Sequence, residues 1–244
     1  MRPKYLAPTK IFPIALLHCP WQRPASESFA RMLRFIALSL VFALHAATAQ
    51  ISRQTSEESA QAAIEAVLVD FDAKKYDEAL AKLTELQKQR PDDPLVLNII
   101  GSVYTKKNDY TAAEDCFRRS LEKQPNFFPS QFNLGELLFL QKKYAEARDH
   151  FQAMRAKDAR NELLQFKVVL CDLQLNEDDQ AKRVMKAIKY PGDSPAWYYA
   201  QAAWENKQGN TKKAREYVAG ARYIFGPKTA LFDETFEALG LNFK

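Results

Sequence analysis

An eight-residue pattern recurs along this chain at an interval of 34 residues. Residues 76–83 read YDEALAKL, residues 110–117 read YTAAEDCF, and residues 144–151 read YAEARDHF. Each copy carries a Tyr, an Ala and a large apolar residue at spacings of three and then four, which places all three on one face of a helix. Repetition at this period predicts one structural unit stacked several times, rather than a reactive site that has been copied.

Weaker copies of the pattern extend the repeat toward the C-terminus. They comprise Asp178, Ala181, Met185, Thr211, Ala214 and Val218. The apolar periodicity around all the copies predicts helices near 57–73, 76–89, 94–107, 110–123, 128–141, 144–156, 160–175, 177–189, 194–208 and 211–224. A last helix is expected near 228–239, where Leu231, Phe232, Phe236 and Leu239 have helical spacing.

Two glycines occupy equivalent positions in neighbouring units. Gly101 and Gly135 each lie nine residues before the Tyr of the next copy, inside helical patterns where Gly normally lowers stability. A close approach of two helices explains their presence. We therefore expect Ala113 and Ala147 to be the small residues that face them from the next helix.

These features resemble the tetratricopeptide repeat family over residues 57–226. The resemblance rests on Ile100-Gly101 and Leu134-Gly135, on the recurring Tyr/Ala/apolar sets, and on a Pro at the end of a unit, as at residues 91 and 125. It implies an all-α fold, a right-handed superhelix of about five helix pairs with irregular outer units. The last helix, within residues 227–244, is expected to cap the open end of the stack; its alternative role is docking into a partner.

The resemblance also implies a binding surface. In that family the first helix of each pair lines a concave face that receives peptides or partner helices. Carried onto this chain, the concave positions are Ile64, Leu68, Phe71, Asn98, Ser102, Thr105, Phe132, Glu136, Phe139, Phe166, Leu170, Leu173, Tyr199, Ala203 and Asn206. Their apolar character suits an amphipathic helix or an apolar peptide. Alternatively, Phe132, Phe166 and Tyr199 fill the interior of the superhelix, and the sequence leaves both readings open.

The N-terminal part of the chain has the pattern of an export signal. Residues 32–49 contain Arg34, an apolar run over 35–44, and the small-x-small site Ala47-Thr48-Ala49. The run is too short to span a bilayer as a helix. We expect cleavage after Ala49, a flexible segment over 50–56, and an extension over 1–31 that is unstructured or results from a misassigned start at Met1 in place of Met32. Export implies a periplasmic or extracellular location, with no membrane span left after cleavage.

Composition and motifs offer little support for catalysis or for nucleic-acid binding. The net charge of +5 arises in residues 1–34, and the rest of the chain carries equal numbers of basic and acidic residues, whereas a phosphate-tracking surface needs a basic excess. Beyond residue 49 the chain has His150, Cys116 and Cys171, without metal-ligand spacing. We predict no catalytic residues, no cofactor and no metal, and we expect the two Cys to be partly buried free thiols.

The leading functional hypothesis is a non-enzymatic, exported scaffold that binds another protein or a peptide. The second is a carbohydrate or cell-wall binding module, in which the aromatic side chains of AWYYAQAAW (residues 196–204) stack on sugars. The repeats favour the scaffold, since the polar residues that a sugar site needs beside those rings are sparse. Neither hypothesis identifies the partner or the oligomeric state.

Overall fold

The computed structural model describes the backbone of residues 27–243 and the side chains of residues 45–243. Over this range the chain forms helices joined by short turns, without strands. The helices are α1 (Glu27–Asp72), α2 (Tyr76–Gln89), α3 (Pro94–Lys106), α4 (Tyr110–Lys123), α5 (Phe128–Leu140), α6 (Tyr144–Lys157), α7 (Glu162–Gln174), α8 (Asp178–Ala187), α9 (Ala196–Lys207), α10 (Thr211–Phe225) and α11 (Ala230–Ala238). A short 3₁₀ turn, Gly226–Thr229, connects α10 to α11. The bounds agree with the predicted helices to within a few residues, apart from the start of α1.

The first helix begins about 30 residues earlier than the sequence predicts. Both the predicted leader (32–49) and the predicted flexible segment (50–56) lie within α1, while residues 1–26 of the predicted N-terminal extension lie outside the described residues. The chain divides into two compact units, which meet at Ser59 and Ala60 within α1. In the first unit, the side chains of residues 45–59 are exposed. No helix within the described residues is long and apolar enough to cross a membrane.

The second unit is the stack of helix pairs. The turn inside each pair contains one residue in the left-handed region, at the same point of each repeat: Lys74, Asn108, Lys142, Asn176 and Gly209. Their φ angles lie between 59° and 81°, a backbone conformation that residues other than Gly and Asn adopt at some energetic cost. Recurrence of this strained residue shows that one turn geometry is repeated, which keeps successive pairs in register.

Side-chain caps mark the start of two inner helices, α3 and α7. Asp93 accepts hydrogen bonds from the backbone of Leu95 and Val96 at the start of α3, and Pro94 occupies the first helical turn. Asn161 caps α7 through the backbone of Leu164. Each cap supplies an acceptor to amides that have no partner within the helix.

The core confirms the recurring pattern as packing. Phe117 and Phe151 are 1% and 0% exposed. We expected Ala113 and Ala147 to face Gly101 and Gly135, and this expectation was wrong. A Cβ on Gly135 would lie 2.5 Å from the Phe151 ring, and one on Gly101 would lie 2.6 Å from the Phe117 ring. The ring of the third residue in each set, rather than its Ala, therefore occupies the space that the glycine leaves.

Both cysteines of the repeat region are free and buried. The prediction of free thiols is confirmed, but we expected the two side chains to be only partly buried. Removal from water raises the pKa of Cys116 to about 11 and that of Cys171 to about 12. Both thiols are therefore protonated at neutral pH and serve as small core side chains.

Candidate functional site

The inner helices α1, α3, α5, α7 and α9 carry the predicted concave positions, and burial divides these positions into three groups. Buried positions are Ile64, Asn98, Phe132, Phe139, Phe166, Leu170, Leu173, Tyr199 and Ala203. Half-buried positions are Phe71, Ser102, Thr105, Glu136 and Asn206, whereas Leu68 is 46% exposed. The half-buried and exposed positions cluster mainly on α1, α3 and α5, so the concave surface is more open toward its N-terminal end.

One predicted binding residue has a structural role. The side-chain oxygen of Asn98 lies 3.0 Å from the Ser130 hydroxyl and accepts a hydrogen bond from the Asn133 amide at 3.0 Å. These contacts join α3 to α5 below the surface. Asn98 is 7% exposed and its acceptor is occupied, so it offers little to a partner.

The C-terminal helix α11 lies against the concave positions of the fourth and fifth pairs. Our expectation placed it at the open end of the stack, but Phe232 and Phe236 pack against Phe166 and Tyr199 instead. The ring centroids of Phe232 lie 4.9 Å from Phe166 and 5.2 Å from Tyr199, and the centroid of Phe236 lies 5.0 Å from Tyr199. Burial of these aromatic rings stabilises the contact between α11 and the concave positions.

A hydrogen-bonded carboxylate holds the start of α11. Asp233 accepts from the hydroxyl of Tyr199 at 2.6 Å and from the guanidinium of Arg222 at 2.7 Å. Arg222 also donates to the backbone carbonyl of Phe243 at 2.7 Å. Burial acts to raise the pKa of Asp233, but the bonds from Arg222, Tyr199 and Thr229 outweigh it and hold the pKa below its ordinary value. Burial, with Asp233 beside it, raises the pKa of Tyr199.

A buried lysine lies at the centre of the concave surface. Lys167 is 0% exposed, and its ammonium donates to Glu136 at 2.5 Å and to the Thr235 hydroxyl at 2.7 Å. The Thr235 hydroxyl donates in turn to the carbonyl of Leu231, so it acts as an acceptor toward the lysine. The rings of Phe132, Phe139 and Phe166 lie 5.7 to 5.9 Å from the ammonium and add cation–π attraction. Side chains from α5, α7 and α11 together therefore stabilise the buried ammonium.

An open pocket lies between the N-terminal part of the concave surface and α11. It has a volume of about 340 Å³. The predicted concave residues that line it are Phe71, Ser102, Thr105, Phe132, Glu136 and Phe139, and α11 contributes Leu231, Glu234, Thr235 and Ala238. We refer to it as the N-terminal pocket. One oxygen of Glu136 is buried without a hydrogen-bond partner, which leaves an acceptor within the lining residues.

A second cavity, of about 270 Å³, lies where the chain leaves α11. Leu170, Leu173 and Asn206 line it together with Leu239 and Leu241 from the C-terminal tail. The structure therefore brings the predicted concave residues into two places: an open pocket at α1, α3 and α5, and a region at α7 and α9 that the C-terminal segment occupies.

The aromatic residues considered for sugar stacking are engaged with other side chains. Tyr199 is a concave position buried against α11, and the two tryptophans, Trp197 and Trp204, lie outside the concave positions. The Tyr190 ring packs against the Trp197 ring at a centroid distance of 4.1 Å with the planes tilted by 34°, and the ammonium of Lys182 lies 4.6 Å from the Trp204 centroid. Both tryptophans border a surface cavity of about 490 Å³. A sugar would have to displace Tyr190 or Lys182 to reach an indole face, so the geometry does not favour this use.

Two residues important to the site were missed in the sequence. Lys167 interrupts the apolar run LLQFKVVLC, and a lone charge in such a run signals a buried charge with a partner. Arg222 carries no comparable signal, because it lies on an outer helix and acts through tertiary contacts with Asp233 and the C-terminal tail.

The repeat region matches a family model. The model described as "Tetratricopeptide repeat" matches residues 64–126 and again residues 100–162. Residues 64–162 are therefore tetratricopeptide repeats by this match. Hsp70-Hsp90 organizing protein 2 of Arabidopsis thaliana is 25% identical over 119 residues, which cover 49% of this chain and 21% of that protein. The chain thus spans about a fifth of the length of that relative.

Solved structures share the fold of this chain at low sequence identity. A thermophilic tetratricopeptide repeat protein of Thermus thermophilus is 19% identical, with a TM-score of 0.58, over 75% of this chain and all of that one. PilF of Pseudomonas aeruginosa is 18% identical, with a TM-score of 0.55, over 76% of this chain and 87% of that one. PilW, described as a widely conserved type IV pilus biogenesis factor, is 17% identical, with a TM-score of 0.55, over 75% of this chain and 86% of that one. These likenesses confirm the predicted all-α superhelix.

Proposed function

We propose that this protein is a non-enzymatic scaffold that binds a peptide or helix of another protein in the N-terminal pocket. Tetratricopeptide repeat proteins are protein-interaction scaffolds, and the observation that carries the site assignment is the pocket lining. Phe71 and Phe139 provide apolar surface, while Ser102, Thr105 and Glu136 provide hydrogen-bonding groups in the same 340 Å³ space. A binding site of this kind gains affinity from apolar burial and orientation from a few polar groups.

Site-specific photocrosslinking tests this assignment. A benzophenone amino acid replaces Ser102 or Leu140, which both line the pocket, or Tyr223, which is 92% exposed on the outer helix α10. After irradiation of intact cells, we expect a discrete adduct of one size from both pocket positions and none of that size from Tyr223. Equal adducts from all three positions, or no adduct from the pocket, would refute the assignment.

We also propose that the protein is exported to the cell envelope or beyond. The support is the pattern of residues 32–49, with Arg34, the apolar run and the small residues Ala47 and Ala49. Mass spectrometry of the native protein is expected to show Gln50 as the first residue. Recovery of a peptide from residues 1–31 would contradict a start at Met32.

A further inference from the structure

We infer that α11 is a built-in occupant of the concave surface and that it competes with the partner. The partner this surface fits is an amphipathic helix with two aromatic side chains one turn apart and a hydrogen-bond acceptor just before the second one. This inference rests on the proposed function, because it treats the concave surface as a binding site. It adds to that function the chemistry of the partner and a barrier that the partner must overcome.

The contacts of α11 are those of a helical ligand in a groove. Phe232 and Phe236, four residues apart, place two rings against the aromatic surface of Phe166 and Tyr199. Amphipathic helices bind grooves through such anchors on one face. The opposite side of α11 is polar or open, since Glu234 and Glu237 are exposed.

The polar groups of α11 add selectivity to the aromatic anchors. Thr235 directly precedes Phe236 in the sequence, is buried, and supplies the acceptor for Lys167. Without that acceptor, Glu136 is the hydrogen-bond partner that remains for the buried ammonium. A buried charge that lacks one of its partners in an apolar site is unfavourable. A partner that replaces α11 therefore needs a hydroxyl or carboxylate at this position. This requirement defines the acceptor in the proposed partner helix.

The length of α11 makes its order depend on the groove. It has nine residues, fewer than the roughly 12 to 15 that an isolated helix needs for even marginal stability in water. It follows the 3₁₀ turn Gly226–Thr229, in which Gly226 has a φ of +53°. A released α11 would thus lose its helical structure but stay tethered beside the groove at an effective concentration of roughly millimolar.

The N-terminal pocket and α11 are adjacent, so binding in the pocket and the position of α11 affect each other. Leu231, Glu234, Thr235 and Ala238 form one wall of the pocket. Leu231 is 39% exposed there, and Glu234 pairs with Lys106 across it at 2.9 Å. A partner helix that enters the pocket meets α11 directly, and a helix that extends toward α7 and α9 has to take its place.

A synthetic peptide provides the test without the natural partner. The labelled peptide consists of residues 228–243, and its binding to the full chain is measured by fluorescence anisotropy. In one full-chain variant, Phe232→Ala/Phe236→Ala, the tethered α11 loses its anchors while the groove keeps Phe166, Tyr199 and Lys167. We expect this variant to bind the peptide at least about tenfold more tightly than the unchanged chain, in which the tethered copy competes.

Matched controls separate groove binding from general stickiness. A peptide that carries both Phe→Ala changes is expected not to bind, and a peptide with Thr235→Val is expected to bind several-fold more weakly. The full chain with Glu237→Ala, an exposed position on α11, is expected to behave as the unchanged chain does. Equal peptide affinity for the double variant and the unchanged chain, or binding of the Phe→Ala peptide, overturns the inference.

A milder variant covers the case in which the double variant does not fold, as judged by circular dichroism. Thr235→Val keeps both aromatic anchors and removes only the acceptor for Lys167. In the full chain it is expected to increase affinity for the peptide by several-fold, and no increase would overturn the inference. Since the peptide assay uses no natural partner, its failure leaves the crosslinking test of the N-terminal pocket intact. Conversely, peptide binding without partner adducts would retain α11 as an occupant and remove the proposed scaffold site.

Discussion

The two halves of the concave surface are built from the same repeat but differ in what covers them. On α1, α3 and α5 the concave positions include half-buried Phe71, Ser102, Thr105 and Glu136, which line an open pocket. On α7 and α9 all of them except the half-buried Asn206 are buried, and Phe166 and Tyr199 are 0% exposed because α11 lies on them. Phe71 is therefore a half-buried residue beside the open pocket, whereas Phe166 and Tyr199 are core residues.

The same comparison explains why the sequence alone does not assign the concave aromatic residues to either a binding surface or the core. Phe71 and Phe166 are both aromatic residues at predicted concave positions of inner helices, although they stand at different positions within their units. The apolar pattern along the chain does not distinguish an open position from a covered one. Their environments differ because a segment more than 60 residues beyond Phe166 in the chain folds back onto it, as the contact with Phe232 shows. Such a contact has no local signature.

The largest expected effect breaks the covered half. Phe166→Ala removes a ring that packs against Tyr199, Phe232 and Phe236, and we expect it to lower the free energy of unfolding by about 3–5 kcal/mol. Phe71→Ala is the matched change in the open half and is expected to lower it by less than about half as much, because Phe71 is only half-buried. Chemical denaturation of both variants measures the difference, and similar losses would mean that the two halves are equally covered.

The next effect concerns the charge between the two halves. Lys167→Met leaves Glu136 without its cation, and we expect a loss of about 2–4 kcal/mol, since removal of one partner from a buried pair is strongly destabilising. The double variant Lys167→Met/Glu136→Leu is expected to recover much of this stability. If the double variant is as unstable as the sum of the single variants, the pair does not interact as the 2.5 Å contact indicates.

A third change sharpens the comparison at the helix crossings of the open half. Gly135→Ala would place a Cβ 2.5 Å from the Phe151 ring, and overpacking of this kind costs about 1–3 kcal/mol. Gly220 on α10 is the control, because the nearest atom to an added Cβ lies at 3.6 Å. Gly220→Ala is expected to be neutral or stabilising. In thermal denaturation, the melting temperatures of the two variants should shift in opposite directions or by clearly different amounts. Equal shifts in melting temperature would contradict the close approach of Gly135 to the Phe151 ring.

The smallest expected effect is a pH dependence on α7. Burial raises the pKa of Asp172 to about 6 from an ordinary value near 3.8, although Arg148 lies 3.9 Å away and favours the charged form. Since the folded state holds this proton more tightly, its contribution to stability is greatest below about pH 4 and declines as the pH rises to about 6.

Asp172→Asn should therefore flatten the stability profile between pH 4 and 6 and stabilise the protein at pH 7 by an amount on the order of 1 kcal/mol. Asp149→Asn, a neighbouring exposed carboxylate that also contacts Arg148, should leave that slope in place. Urea denaturation at several pH values between 4 and 7 measures both profiles. The same slope in the Asp172 variant and the unchanged chain would show that Asp172 is ionised throughout this range.

Sequence periodicity determined the helix pairs, their turns and the family of this protein. Apolar spacing and a 34-residue interval are local properties, so Tyr110, Ala113 and Phe117 are enough to place a helix and its buried face. The position of α11, the burial of Lys167 and the division of the concave surface were decided only in the tertiary structure. Helical spacing shows that Phe232 and Phe236 need a partner surface, but the choice among several apolar surfaces depends on which one also pairs Thr235 with Lys167 and Asp233 with Arg222. These pairings join residues far apart in the chain, and periodicity carries no information about them.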